Sequence, residues 1–153
     1  MKNYDRLIFV DEDDTTRAPM AKMIMKTKYL LGPLDIQSRG LVVLFPQPMN
    51  QKAAAILISI GIDPAEHEAT QLRQEDMDDR TLFLTMEDGQ KEKIWTNYEN
   101  AAHVYTVAEF INLQGDVSAL CGEPLETYGH SYETIAALIN GIVIKFNEEE
   151  LKK

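Results

Sequence analysis

The chain has 153 residues, a length that suits one domain around one core. Its 44% hydrophobic and 26% charged residues are ordinary for a globular protein. A formal net charge of -10 argues against nucleic acid or an anionic membrane as partner, since both are polyanions, and leaves a protein partner open. The same charge repels a phosphorylated ligand unless a local basic site compensates. The single cysteine, Cys121, excludes an internal disulfide. The N-terminal stretch MKNYDRLIFVDEDD has only a short apolar run before acids begin, unlike a signal peptide, and no apolar stretch approaches the roughly 20 residues that span a bilayer. The cytoplasm is the expected compartment.

Arg6 to Val10 (RLIFV) is a short continuous apolar run, the pattern of a buried parallel strand. An acidic, threonine-bearing loop follows. Pro19 stands near the start of a helical stretch, where its missing N–H costs nothing, and Met20, Met23 and Ile24 recur at helical spacing towards Tyr29. Gly32-Pro33 ends that stretch, and Leu34 to Ser38 is predicted as a second strand. Met49 to Ile60 has helical periodicity and closes on Gly61.

Thr81 to Thr85 (TLFLT) is predicted as the third strand, Glu87 to Trp95 as a helix, and Val104 to Val107 as the fourth strand with a helical turn after it. Pro124 to Phe146 is the last and longest helix, with Tyr128, Ile135, Leu138, Ile139 and Ile142 inward. Beyond it, EEELKK is expected to be a frayed, solvated end. There is no internal repeat. Strands alternating with helices predict one α/β domain over 1–153, with a parallel sheet and right-handed crossovers. Ligands in such folds sit at the carboxyl ends of the strands, which singles out the loop after Val10.

That loop reads VDEDDTTRAPMA over Val10 to Ala21. It resembles the loop of low-molecular-weight protein tyrosine phosphatases, which carry a strand, then V-C-x-G-N-x-C-R-S-P-M-A, then a helix. In that family backbone N–H groups and the arginine cradle phosphate while the cysteine thiolate attacks phosphorus. Arg17, Pro19, Met20 and Ala21 match the pattern. Asp11 stands at the nucleophile position, Asp13 at the glycine, Asp14 at the asparagine, Thr16 at the second cysteine and Ala18 at the activating serine. Thr15 matches the threonine of the bacterial arginine-phosphatase branch.

The likeness runs along nearly the whole chain. Gln47-Pro48-Met49-Asn50 with Ala53 resembles the family's G-x-P-M-x-P-x-A segment. Gly61-Ile62-Asp63, His67, Ala69, Gln71-Leu72 and Glu75-Asp76 resemble its GID…H-x-A-x-Q-L…E-D stretch. Met86-Glu87 and QKEK (90–93) follow the third strand as in the family, and GEPLETY (122–128) resembles the segment after the general acid. The resemblance implies a four-stranded parallel sheet of order 2-1-3-4 with helices on both faces, and neither cofactor nor metal. It also implies a brace behind the loop from Ser38 and His67, with Asp14 and Ala18 departing from the braced pattern.

Counting back from Gly122 puts Ala119 at the general-acid position and Leu120 at the proline that should follow it. Asp116 lies three residues earlier. Nucleophile and acid are therefore both replaced, and the expected function is a catalytically impaired pseudophosphatase that binds or regulates. Asp11 is expected to pair directly with Arg17, as an anion mimic with a depressed pKa.

Two other readings compete. Asp11-x-Asp13-x-Thr15 matches the D-x-D-x-T of haloacid-dehalogenase-type phosphatases, which use an aspartyl nucleophile and magnesium. Glu12, Asp13 and Asp14 could instead hold a hard cation through their oxygens. Either way these acids oppose a phosphate dianion, at roughly 4 kcal/mol per unit charge at about 4 Å and an effective dielectric near 20. Cys121 is expected to be a semi-buried structural thiol. Trp95, Tyr98, Tyr128 and Tyr132 are expected to pack. His103 and His130 lack metal-ligand spacing.

Overall fold

The computed structural model describes residues 4–153; the first three residues of the expected domain lie outside the described residues. Four parallel strands form one sheet: β1 (Arg6–Asp11), β2 (Asp35–Gly40), β3 (Thr81–Thr85) and β4 (His103–Thr106), in the order β2-β1-β3-β4. The expected order and class are what the structure has. The helices are α1 (Arg17–Lys26), α2 (Gln51–Ser59), α3 (Asp88–Asn97), the short α4 (Val107–Phe110) and α5 (Leu125–Leu151).

The apolar runs of the two central strands divide between two cores. Leu7 and Phe9 of β1 and Leu82 and Leu84 of β3 pack with α1, α2 and α5, whereas Ile8, Val10 and Phe83 pack with Ile94 of α3 and Val104 of β4. Side chains alternate across a strand, so a run buried on both faces has to be apolar throughout. Each fully buried side chain of this size contributes about 1.5–3 kcal/mol.

Element ends differ from the expected ones for local reasons. α1 begins at Arg17, two residues before Pro19. α2 begins at Gln51 because Asn50 Oδ1 caps it, accepting from Lys52 N at 2.9 Å and Ala53 N at 3.2 Å. β2 runs from Asp35 to Gly40 rather than Leu34 to Ser38, in register with all of β1. α3 starts at Asp88 and continues to Asn97, while β4 starts one residue earlier than expected, at His103. α5 continues to Leu151 instead of fraying, anchored where Asn147 accepts from Leu31 N and donates to Tyr29 O. Trp95 is half exposed under Lys91 Nζ rather than packed away.

Parallel strands bring their carboxyl ends to one edge. The β1–α1 loop, the end of β2 and the β3–α3 junction therefore meet there. Gly40 permits the closest approach: a Cβ at this position would lie 2.6 Å from the Asp13 carbonyl carbon.

Candidate functional site

Asp11 ends β1 with its side chain turned into the loop that follows. The residue is 1% exposed. Its Oδ1 accepts from Asp14 N at 2.7 Å and its Oδ2 from Ala18 N at 2.9 Å. The carboxylate thus ties the loop to the N-terminus of α1, where the helix dipole also favours negative charge. Burial pushes its pKa up to about 6, against the pull of those two N–H groups and the nearby Arg17 charge.

Arg17 does not make the expected contact with Asp11. Its Nη1 donates to Glu87 Oε2 and, at 2.7 Å, to the Val117 carbonyl. Glu87 stands between β3 and α3, directly beside the end of β1, since β1 and β3 are neighbours. Gln90 pins this junction: its Oε1 accepts from Met86 N and Glu87 N, both at 3.0 Å, and its Nε2 reaches Glu87 Oε2 and Glu12 Oε1 at 3.4 Å. The depressed pKa expected for Asp11 is corrected along with the contact. Desolvation outweighs a guanidinium that acts only through space.

The remaining loop acids diverge. Glu12 is exposed and faces Lys93 Nζ at 3.7 Å. Asp13 is exposed and its Oδ1 accepts from Thr15 Oγ1 at 2.7 Å and Thr15 N at 3.2 Å; Thr16 lies beside Thr15, with the two hydroxyls 3.4 Å apart. Asp14 is fully buried, at a left-handed φ of 59° that aspartate tolerates better than most residues. Among the described residues no three His, Cys, Asp or Glu side chains converge to hold an ion.

Behind the loop a brace forms, and Asp14 belongs to it, contrary to expectation. Asp14 Oδ2 accepts from Thr70 N at 2.9 Å, and His67 Nε2 lies 2.7 Å from the Asp14 carbonyl. Lys22 Nζ lies 2.8 Å from His67 Nδ1. A carbonyl only accepts and an ammonium only donates, which sets His67 as the Nε2–H tautomer. Burial drives the His67 pKa down to about 4 and the Asp14 pKa up to about 7. Burial also lowers the Lys22 pKa, with Asp14 opposing that fall. Asp14 Oδ1 and Ser38 Oγ are buried without a hydrogen bond of good geometry, though the Ser38 hydroxyl is close enough to pull the Asp14 pKa down.

Ala119, expected at the acid position, is exposed on the 111–123 segment, and its methyl side chain carries no titratable proton. Asp116, three residues earlier, accepts through its Oδ1 from Asp88 N at 3.0 Å, at the start of α3. Val117 closes this segment onto the site: its N–H donates to Met86 O at 2.9 Å and its carbonyl accepts from Arg17 Nη1. Cys121 is exposed rather than semi-buried.

Glu87 and Val117 are the site residues that sequence reasoning missed. A signal for Glu87 was available. It follows a fully buried strand adjacent to β1, and so falls at the carboxyl edge beside the loop.

The comparisons agree with this architecture. A protein-arginine-phosphatase from Geobacillus stearothermophilus is 29% identical over 147 residues, covering 95% of this chain and 98% of the relative. The low molecular weight protein-tyrosine-phosphatase PtpB of Staphylococcus haemolyticus is 28% identical, covering 88% and 94%. Among solved structures, the YwlE arginine phosphatase of Geobacillus stearothermophilus superposes with a TM-score of 0.90 at 29% identity, covering 96% of each chain. A low molecular weight protein tyrosine phosphatase from T. tengcongensis gives 0.84 at 34% identity, covering 92% and 98%. The family model for low molecular weight phosphotyrosine protein phosphatases matches residues 6–153, and the chain belongs to that family.

Proposed function

We propose that this chain is a pseudophosphatase, a cytoplasmic binding or regulatory protein built on the phosphatase scaffold. The observation that carries the reading is the state of the loop's anion-holding groups. Two of its backbone N–H groups are bound to the buried Asp11 carboxylate, and the guanidinium is bound to Glu87. Part of the cradle that the family turns on a phosphoryl group is thus occupied from within the chain. A carboxylate 1% exposed, with both oxygens accepting hydrogen bonds, is poorly placed to attack phosphorus. Ala119 cannot protonate a leaving group, and a positioned acid supplies typically 10²–10⁴-fold in rate, roughly.

The test is hydrolysis of an aryl phosphate and of a phosphoarginine peptide, each with and without magnesium. The expected result is no turnover above buffer in all four assays. Metal-independent turnover would defeat the proposal. Magnesium-dependent turnover lost in Asp11→Asn would replace it with an aspartyl-nucleophile phosphatase.

A further inference from the structure

After β2 the chain reads LVVLFPQP, Leu41 to Pro48. Val42 is 62% exposed, Leu44 87% and Phe45 61%. Leu41 and Val43 are partly tucked in, so the apolar side chains alternate before Phe45 breaks the pattern. The segment is held in place. Leu41 N donates to Asp11 O at 3.0 Å, Val42 N to Glu12 O at 2.9 Å, and Val43 N to Gln71 Oε1 at 2.8 Å, while Gln71 Nε2 returns a bond to Leu41 O at 2.7 Å. Pro46 and Pro48 lack the N–H groups that strand pairing needs. Three large apolar side chains add nothing to the core; Val42 sits on the hydrogen-bonded stretch and Leu44 and Phe45 follow directly after it, between that stretch and two prolines that restrict the backbone, which limits the entropy lost on binding.

The neighbours of this projection are acidic. The bond from Val42 N to Glu12 O sets Val42 one strand spacing from the loop, and Val43 and the Asp13 backbone both crowd the space beside Gly40. Glu12 and Asp13 are exposed there, and Glu12 already faces the lysine Lys93.

We propose that Val42, Leu44 and Phe45, together with Glu12 and Asp13, form a docking surface for a basic, apolar-bearing segment of a partner protein. Its Lys or Arg side chains sit against the two carboxylates, and its apolar side chains cover the three exposed ones. The proposal rests on the reading of this chain as a binding protein. Charge selects the occupant. An acidic segment meets Glu12, Asp13 and a net charge of -10, and a second copy of this chain in a two-fold contact brings the same acids against themselves.

The experiment is fluorescence anisotropy with two synthetic peptides, one alternating arginine and leucine, the other glutamate and leucine, each at low and high salt. It compares the wild type, L44S/F45S and E12Q/D13N, with melting temperatures confirming that each variant folds. The arginine peptide should bind the wild type and the glutamate peptide should not. L44S/F45S should weaken binding by about tenfold or more. E12Q/D13N should weaken it roughly threefold and flatten its salt dependence. Absence of binding, equal binding of the glutamate peptide, or arginine-peptide binding unchanged in L44S/F45S would overturn the proposal. So would a concentration-dependent dimer in sedimentation that F45S abolishes, which would assign the surface to self-association. These outcomes are separate from the hydrolysis assays, so inactivity without docking remains a distinguishable result.

Discussion

Asp14→Asn should make the protein more stable near neutral pH, by an amount that shrinks as the pH falls. Asp14 is fully buried, and burial raises its pKa from 3.8 to about 7. For an acid raised in this way the native state binds more protons than the unfolded chain between about pH 4 and pH 7. The slope of unfolding free energy with pH is then negative, and stability falls as pH rises through that window. A rise of about 3 units corresponds to about 4 kcal/mol at most. The Ser38 hydroxyl, the Thr70 N–H and Lys22 already offset part of the desolvation within that rise, and asparagine changes these contacts too, so a gain of about 1–3 kcal/mol at pH 8 is expected on removing the charge. Asparagine keeps an acceptor for Thr70 N, tolerates the left-handed φ of 59°, and brings an NH₂ donor towards the orphaned Ser38 Oγ. His67, whose pKa is lowered to about 4, acts in the opposite sense between about pH 4 and 6.5. It is present in both proteins and cancels to first order. Urea denaturation of both proteins from pH 5 to pH 8 measures the difference. A difference that does not vary with pH, or a variant less stable at pH 8, would refute the reasoning.

Asp11→Ala leaves the buried Asp14 and Ala18 N–H groups without an acceptor and should cost about 2–4 kcal/mol in denaturant unfolding, partly recovered by millimolar phosphate. Glu87→Ala removes the anion on the buried Arg17 and should destabilise by about 1–3 kcal/mol, whereas Glu87→Gln, which keeps an acceptor, should cost less; melting curves of the pair decide. Asp11→Cys alone should leave aryl phosphate hydrolysis at background, because Ala119 still offers no acid and Glu87 still holds Arg17; activity at the level of a family phosphatase in that single variant would contradict the site as described.

The α/β class was legible because strands apolar on both faces alternate with helices, and the sheet order followed from the resemblance that the dispersed, ordered motifs carry. Element ends were less so, because caps set them: Asn50 starts α2 inside a periodic stretch that reads as helix from Met49. The acidic loop was found from its place at the carboxyl end of the first strand and from its resemblance to the family's loop, yet its bonding was not. Asp11 and Arg17 are six positions apart and look like a natural pair. The partner that Arg17 takes, Glu87, lies 70 residues along the chain and becomes its neighbour only through the packing of β1 against β3. The sign of the Asp11 shift was likewise hidden, since it depends on burial that no local pattern reveals. Asp14 looked like a departure from the brace because its charge differs from the expected amide. It nevertheless joins His67 and Thr70 behind the loop, at the cost of a buried carboxylate.

The claim at the centre of this account is that the loop's phosphate-holding groups are already filled by Asp11 and Glu87. Calorimetric titration of inorganic phosphate into the wild type and into the Asp11→Ala/Glu87→Ala double variant tests it most directly. No measurable binding is expected to the wild type, and binding is expected to the double variant, where the Asp14 and Ala18 N–H groups lose their acceptor and Arg17 loses its carboxylate. Phosphate binding to the wild type as tight as to the double variant would contradict it.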